Sequence, residues 1–261
     1  MGKGLILAVA VAGAIATACV AQAGPRGAAH PDLTGVWSNA SYTWLQRPKG
    51  LTSLAVTPAQ AEAYEAPRRR LKGELSSPED EVGQDESEFP DNGSGLARIG
   101  GEIRSSWILD PADGRIPWRP EVKAALQHGR DSGLYDNVEA RDTDERCLTG
   151  ASGFAPLVNS HDANLIQIVQ TPGWVAIVGE KNHEVRIVSV AQRGAAPPRE
   201  APGGWMGVSR GRWEGATLVV ETTGLRAGRT KVHDQLWLSE HARVTERFTR
   251  TGPGQIDYRF E

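Results

Sequence analysis

The 261 residues carry 29 Lys and Arg against 32 Asp and Glu, a formal charge of −3 with no basic stripe, which argues against a nucleic-acid binder. Apolar residues make up 39% of the chain, enough to fill a core, and the length suits one large β domain better than several small ones. Cysteine occurs only at Cys19 and Cys147, too few for a disulfide framework.

In chain order, the first element is an export signal over residues 1–23: Lys3 supplies a positive start, Leu5 to Val20 is apolar, and Ala21-Gln22-Ala23 is a small-x-small cleavage site. The protein is therefore expected in the periplasm or secreted. Ala16-Thr17-Ala18-Cys19 is a degraded lipobox, so a form anchored to the cell envelope by a lipid on Cys19 is the alternative. No later segment is apolar over a length that spans a bilayer. Residues 24–261 read as a single domain, opened by Asp32-Leu33-Thr34-Gly35-Val36-Trp37, a Gly-x-Trp at the mouth of a first strand.

Thr57-Pro58-Ala59-Gln60 is a capping box with Pro at the first helical position, and it predicts a helix through Glu65 that Pro67 kinks or ends. Residues 74–101, acidic and poor in apolar side chains, read as a mobile loop. Trp107-Ile108-Leu109 reads as a strand entering the turn Asp110-Pro111-Ala112-Asp113-Gly114, and a second short helix is expected over Glu121 to His128. Past residue 160 the chain becomes a meander. Strands are expected over Asn164 to Gln170, Trp174 to Glu180 and Glu184 to Val190, joined by Thr171-Pro172-Gly173 and Lys181-Asn182-His183. After a Gly/Pro-rich excursion, Trp213 to Thr223 reads as a turn feeding a strand, followed by strands over Ala242 to Arg250 and Gln255 to Glu261. Short, regularly spaced strands without long helices predict a barrel, with a β-sandwich as the alternative.

Alternation places Leu218, Val220 and Thr222 on one side of their strand and Thr217, Val219 and Glu221 on the other. On the late strand Val244, Glu246, Phe248 and Arg250 share one side. Chemistry near neutral pH would fall to loop histidines, with His161, Glu180, His183 and Arg186 as candidate catalytic residues of a cofactor-independent lyase or isomerase. No metal-ligand spacing, nucleophile elbow, Walker loop or dinucleotide fingerprint is present, so neither a metal nor an organic cofactor is expected. Asp142, Asp144 and Glu145 give Cys147 no base to activate it as a nucleophile. The 8 Trp outnumber the 4 Phe and the 4 Tyr, and their places near turns suit either the capping of barrel ends and loop bases or a mouth that stacks on sugar or aromatic rings. Trp174, Trp205, Glu246 and Arg247 are the candidate ligand-binding residues. The leading expectation is a small apolar or aromatic ligand held in a barrel cavity, with the enzyme at the same cavity and a cell-envelope interaction module as alternatives.

The segments Asp32 to Trp37, Leu109-Asp110-Pro111, Glu145-Arg146-Cys147-Leu148, Ile168 to Gly173, Ser209 to Gly215 with Thr217 to Thr223, and Glu246-Arg247-Phe248 resemble a family of exported bacterial proteins with no assigned reaction. Ala216 stands where the family pattern has Asp. The resemblance implies further strands and a Cys-His-Glu-Gly-Asn segment beyond Glu261, hence that the chain is a fragment and that Cys147 has a C-terminal disulfide partner. Gly35 and Trp37 also resemble the opening of lipocalin-type barrels. That likeness implies a lipocalin-like antiparallel barrel with long N-terminal loops and one or two short helices. In such a barrel the Trp plugs the base under a late-strand Arg, here Arg247 or Arg243.

Overall fold

A computed structural model describes residues 30–75, 93–124, 138, 146–148, 153–160, 163–181, 184–191, 204–225, 230–232 and 236–261. The expected signal peptide, His161, His183 and most of the acidic loop lie outside them. The elements are β1 (Gly35–Ser38), β2 (Ala55–Val56), α1 (Pro58–Leu75), β3 (Arg98–Ile99), β4 (Glu102–Arg104), β5 (Leu165–Thr171), β6 (Trp174–Gly179) and β7 (Val185–Val190), then β8 (Val208–Glu214), β9 (Thr217–Thr223), β10 (Thr230–Val232), β11 (Leu236–Leu238), β12 (Val244–Gly252) and β13 (Gln255–Phe260). Eight strands form one strongly curled half-barrel in the order β1-β5-β6-β7-β8-β9-β12-β13. The fold is mainly β, as the alternation requires.

The expected strands of the meander are present, joined where the turn residues predicted. One strand of the eight-stranded sheet was not foreseen. Val208 to Glu214 forms β8, and it runs parallel to β7 through Val188↔Ser209, Ser189↔Arg210 and Val190↔Gly211, whereas every other pair in the sheet is antiparallel. The Gly/Pro-rich excursion that joins the two strands lies almost wholly outside the described residues. At Gly211 an added Cβ would stand 2.9 Å from a Val188 methyl, so only glycine lets the two strands pack this closely on the inner face.

The inner face is a packed apolar core. Leu33, Leu157, Ile168, Val175, Ile177, Val188, Val190, Leu218, Val220 and Phe248 fill it, with Trp37, Trp213, Ile256 and Tyr258 against them. Neighbouring residues on each strand point outward, and Leu218, Val220 and Thr222 face inward as alternation predicted. Strands β1 and β13 are not hydrogen-bonded to each other. Side chains and the buried segment 153–160 span the gap instead, with the Leu157 amide donating to the Tyr258 hydroxyl at 2.8 Å.

The opening hexapeptide is the plug of one end. Leu33 is fully buried, its amide donates to the Gln170 side chain at 3.0 Å, and its carbonyl accepts the Trp37 indole N–H at 3.0 Å. Gly35 has φ of 152°, a backbone that side chains rarely adopt. A cation does lie over Trp37, but it is Arg250, 5.4 Å from the ring centroid and hydrogen-bonded to the Asp32 carbonyl. Arg243 and Arg247, the two expected partners, are on the outer face, because odd positions of β12 point away from the core. His30 stacks on Trp213 at 4.6 Å beside the plug.

Elsewhere the helix starts as predicted, with the Gln60 amide bonded to Thr57 Oγ1 at 3.2 Å and the Thr57 amide to Gln60 Oε1 at 2.9 Å. It continues through Pro67 to Leu75 rather than ending there. Arg69 bridges Glu62 and Glu65 across that region at 2.7 and 2.9 Å, tying the turns before and after the proline. The second helix begins with residues 120–124 and its remainder lies outside the described residues. Two further expectations are corrected. The end of the supposed loop, residues 98–101, forms the hairpin β3–β4 with residues 102–104 about Gly100-Gly101, because Leu96 and Ile103 have a core of their own against Val56 and Ala61. Trp107 and Ile108 form no strand, since their amides donate singly to the carbonyls of Trp44 and Leu45.

Truncating Leu33 to Ala should lower unfolding stability by about 3 kcal/mol, a core-cavity cost. Val36→Ala, three positions on and 65% exposed, should stay within about 0.5 kcal/mol, as read by urea denaturation.

Candidate functional site

Strand alternation delivers four polar side chains to one end of the concave face. Arg186 comes from β7, Ser209 from β8, Thr222 from β9 and Glu246 from β12, and Tyr258 of β13 completes the group. Arg186 and Glu246, expected separately as a catalytic and a ligand-binding residue, form one ion pair. Both guanidinium Nη atoms meet the carboxylate, with Nη2 to Oε1 at 2.8 Å, and the side chains are 2% and 0% exposed. Arg186 Nε donates to the Gly153 carbonyl at 3.1 Å, and Nη1 also reaches Thr222 Oγ1 at 3.4 Å. Thr222 lies 2.7 Å from the Ser209 hydroxyl. Tyr258 donates to Glu246 Oε1 at 2.9 Å while accepting from Leu157. Glu184, also buried, accepts from the Gly153 amide at 3.2 Å.

Burial opposes the Arg186 charge, yet the Glu246 carboxylate beside it outweighs this and raises its pKa further. Burial pushes the Tyr258 phenol well above its ordinary value, and the neighbouring Glu246 charge adds to the rise. At neutral pH the group is thus a guanidinium clamped on a carboxylate that a neutral phenol also serves. Each Arg186 nitrogen has an acceptor. Such an arrangement locks three strands together and offers no idle base to a substrate.

Among the described residues, the remaining candidates do not join it. Glu246 and Arg247 are consecutive on a strand and must face opposite sides. Arg247 is accordingly on the outer face, 2.9 Å from Glu214. Glu180 is exposed in the turn after β6, where it accepts the Leu165 amide at 3.2 Å. Trp174 is half-exposed at the far end of β6, and Trp205 is partly buried beside the Gly204↔Leu225 bridge. His161 and His183 lie outside the described residues. Tyr258, Thr222 and Ser209 were missed, although pairing the last two strands about Thr251 to Gly254 puts Tyr258 on the inner side with Glu246. Cys147 is an exposed free thiol.

The outer face divides into two chemistries. On β8, β9, β12 and β13, Arg212, Val219, Arg247 and Arg259 form one cross-strand row and Glu214, Thr217, Thr249 and Asp257 the next. A shallow depression of about 250 Å³ lies between them. Its charges are mutually paired: Glu214 takes Arg247 and Arg212, whose hydrogen bonds hold its pKa below the usual carboxylate value, and Arg259 takes Asp257. On β1, β5, β6 and β7 the sole charged residue is Arg186, and it points inward. Their outward positions bring Val36, Leu165, Val169, Trp174, Val185 and Ile187 to the surface, 37–65% exposed. The rows Val36–Gln167–Val178–Val185 and Val169–Ala176–Ile187 connect four of them, and the polar outward positions of these strands, Ser38, Gln167, Thr171 and Ser189, are uncharged.

No protein-family model matches the chain, and comparison with curated proteins and with solved structures gives no significant match.

Replacing Glu246 with Gln should destabilise the fold by about 3–5 kcal/mol by stranding a buried cation. The Arg186→Met, Glu246→Leu double variant should lose less than the sum of the losses of its two single variants, and urea unfolding of the wild type, Glu246→Gln, the two singles and the double measures both outcomes. The Tyr258 shift has a sign that alkaline unfolding can read. The native state holds the phenol proton more tightly than the unfolded chain, so stability is intact below the ordinary pKa of 10.0 and is lost as pH rises above it. Tyr258→Phe should flatten that loss in thermal unfolding between pH 9 and about 11.

Proposed function

We propose that the protein is a non-catalytic interaction module of the cell envelope that binds an apolar partner through the outer face of β1, β5, β6 and β7. One observation carries this reading: four adjacent strands bring six exposed apolar side chains to one outer face, where the remaining polar positions, Ser38, Gln167, Thr171 and Ser189, carry no charge. An exposed apolar patch of this kind marks an interaction surface in a stable protein. The concave face, where a barrel ligand or a substrate would sit, is occupied among the described residues by the packed core and the Arg186–Glu246–Tyr258 group. Export to the envelope rests on the cleavable signal read at residues 1–23.

N-phenyl-1-naphthylamine, an apolar probe that brightens when it leaves water, tests the location. Its emission should rise with the wild-type protein and fall by roughly tenfold in Ile187→Glu, which places a charge within the row Val169–Ala176–Ile187 of the patch. Ile187 is 49% exposed, so the variant keeps its fold, as circular dichroism would verify. Emission equal in both proteins would move the apolar site elsewhere and overturn the proposal.

A further inference from the structure

We infer that a short row of side chains across the β7–β8 seam binds an acidic sugar, a pyranose that carries a carboxylate, as in the uronic-acid residues of a polysaccharide. Register sets Trp174 of β6, Ser189 of β7 and Arg210 of β8 side by side, at outward positions of their strands. Trp174 is 50% exposed, and Ser189 and Arg210 are partly exposed. None of the three side chains is engaged. Among the described residues, the Trp174 indole N–H, the Ser189 hydroxyl and the Arg210 guanidinium make no hydrogen bond, and Trp174 lends only its main-chain carbonyl, to Thr171. The other outward arginines of this sheet each take a carboxylate: Arg212 and Arg247 take Glu214, Arg243 takes Glu221, and Arg259 takes Asp257. Glu221 is also the in-register neighbour of Arg210, but it is held by Arg243 at 2.7 Å.

Each group fits one part of such a ligand. The exposed indole face stacks on the C–H face of a pyranose. Neighbouring strands about 4.8 Å apart put the Trp174 and Arg210 backbones about 10 Å from each other, so a ring lying on Trp174 brings its exocyclic carboxylate over Ser189 and within reach of the guanidinium. There Arg210 pairs with the carboxylate, while the Ser189 hydroxyl and the indole N–H serve the ring hydroxyls. A neutral sugar would leave the cation idle, and an aromatic acid would leave Ser189 without a partner. One ring on one indole is a local contact, which the curl of the sheet does not oppose. The inference stands apart from the apolar partner, because Ser189 and Arg210 lie outside the rows Val36–Gln167–Val178–Val185 and Val169–Ala176–Ile187.

Trigalacturonate tests the site by calorimetric titration into the full chain, beside galactotriose as its neutral counterpart and 1-naphthoate as an aromatic acid. The proteins compared are the wild type, Trp174→Ala, Arg210→Met and Arg259→Met, the last removing an arginine three strands away on β13. All three changes are at the surface, and circular dichroism verifies the folds. Wild type and Arg259→Met should bind trigalacturonate alike, and galactotriose roughly tenfold more weakly. Arg210→Met should weaken trigalacturonate by roughly tenfold and so remove the preference, whereas Trp174→Ala should weaken both sugars. No binding of trigalacturonate to the wild type, affinity unchanged in both Trp174→Ala and Arg210→Met, or an equal loss in Arg259→Met overturns the inference. Naphthoate that binds more tightly than trigalacturonate and depends on Arg210 overturns the sugar and puts an aromatic acid in its place. Naphthylamine emission that survives in Arg210→Met while trigalacturonate binding falls separates this site from the apolar one.

Discussion

Curvature in this protein depends on a chord. Arg186 on β7 and Glu246 on β12 are separated in the sheet by β8 and β9, yet their side chains meet across the concave face. A flat sheet would hold strands three places apart about 14 Å from each other, a span that such a pair bridges only with both side chains stretched along the sheet. Two charges taken fully out of water are tolerated only when the remaining donors and acceptors are also met. Gly153, Thr222, Tyr258 and Leu157 meet them, and two of these belong to the segment 153–160. The pair thereby bends the sheet and also recruits the chain that fills the gap between β1 and β13.

With the interior occupied by its own scaffold, contrast on the outside acquires meaning. The charged half is a lattice of short exposed ion pairs, each worth little to stability and screened by salt. Its use is to remain wet: arginine and carboxylate rows give a neighbouring sheet nothing to pack on. Across the β7–β8 junction that protection stops. Val219 marks the difference, for even the one apolar residue in the arginine row is fully buried, whereas Val36 in the uncharged half is 65% exposed.

Much of the architecture was legible because the meander strands alternate and their turns carry Gly, Pro or Asn. The plug was legible in Gly35 and Trp37, and the helix start in Thr57 and Gln60. What escaped was long-range or lay against local composition. Ser209-Arg210-Gly211-Arg212 has the polarity of a loop and becomes β8 only because Gly211 admits Val188. The cation over Trp37 is two turns of alternation from a correct reading: inward positions of the late strand include Arg250 and exclude Arg247, and the same rule separates Arg247 from Glu246. The partnership of Arg186 with Glu246 depends on strand order, which no local pattern encodes. Residues 98–104 were hidden by their acidic neighbours, though Gly100-Gly101 is itself a hairpin signal.

The single parallel junction has a consequence for how the chain reaches its structure. On one side of it lie β5, β6 and β7, on the other β8 with β9 and the later pair β12 and β13, and adjoining strands within β5–β7, β8–β9 and β12–β13 follow one another directly in sequence. These hairpins close over short loops and form early, at little entropic cost. The β7–β8 seam, with three residue pairs and a long connection to immobilise, gains nothing until both flanking sheets exist. Assembly is therefore a zipping of two prebuilt halves, and Arg186 and Glu246, one in each half, find each other only when the seam has closed.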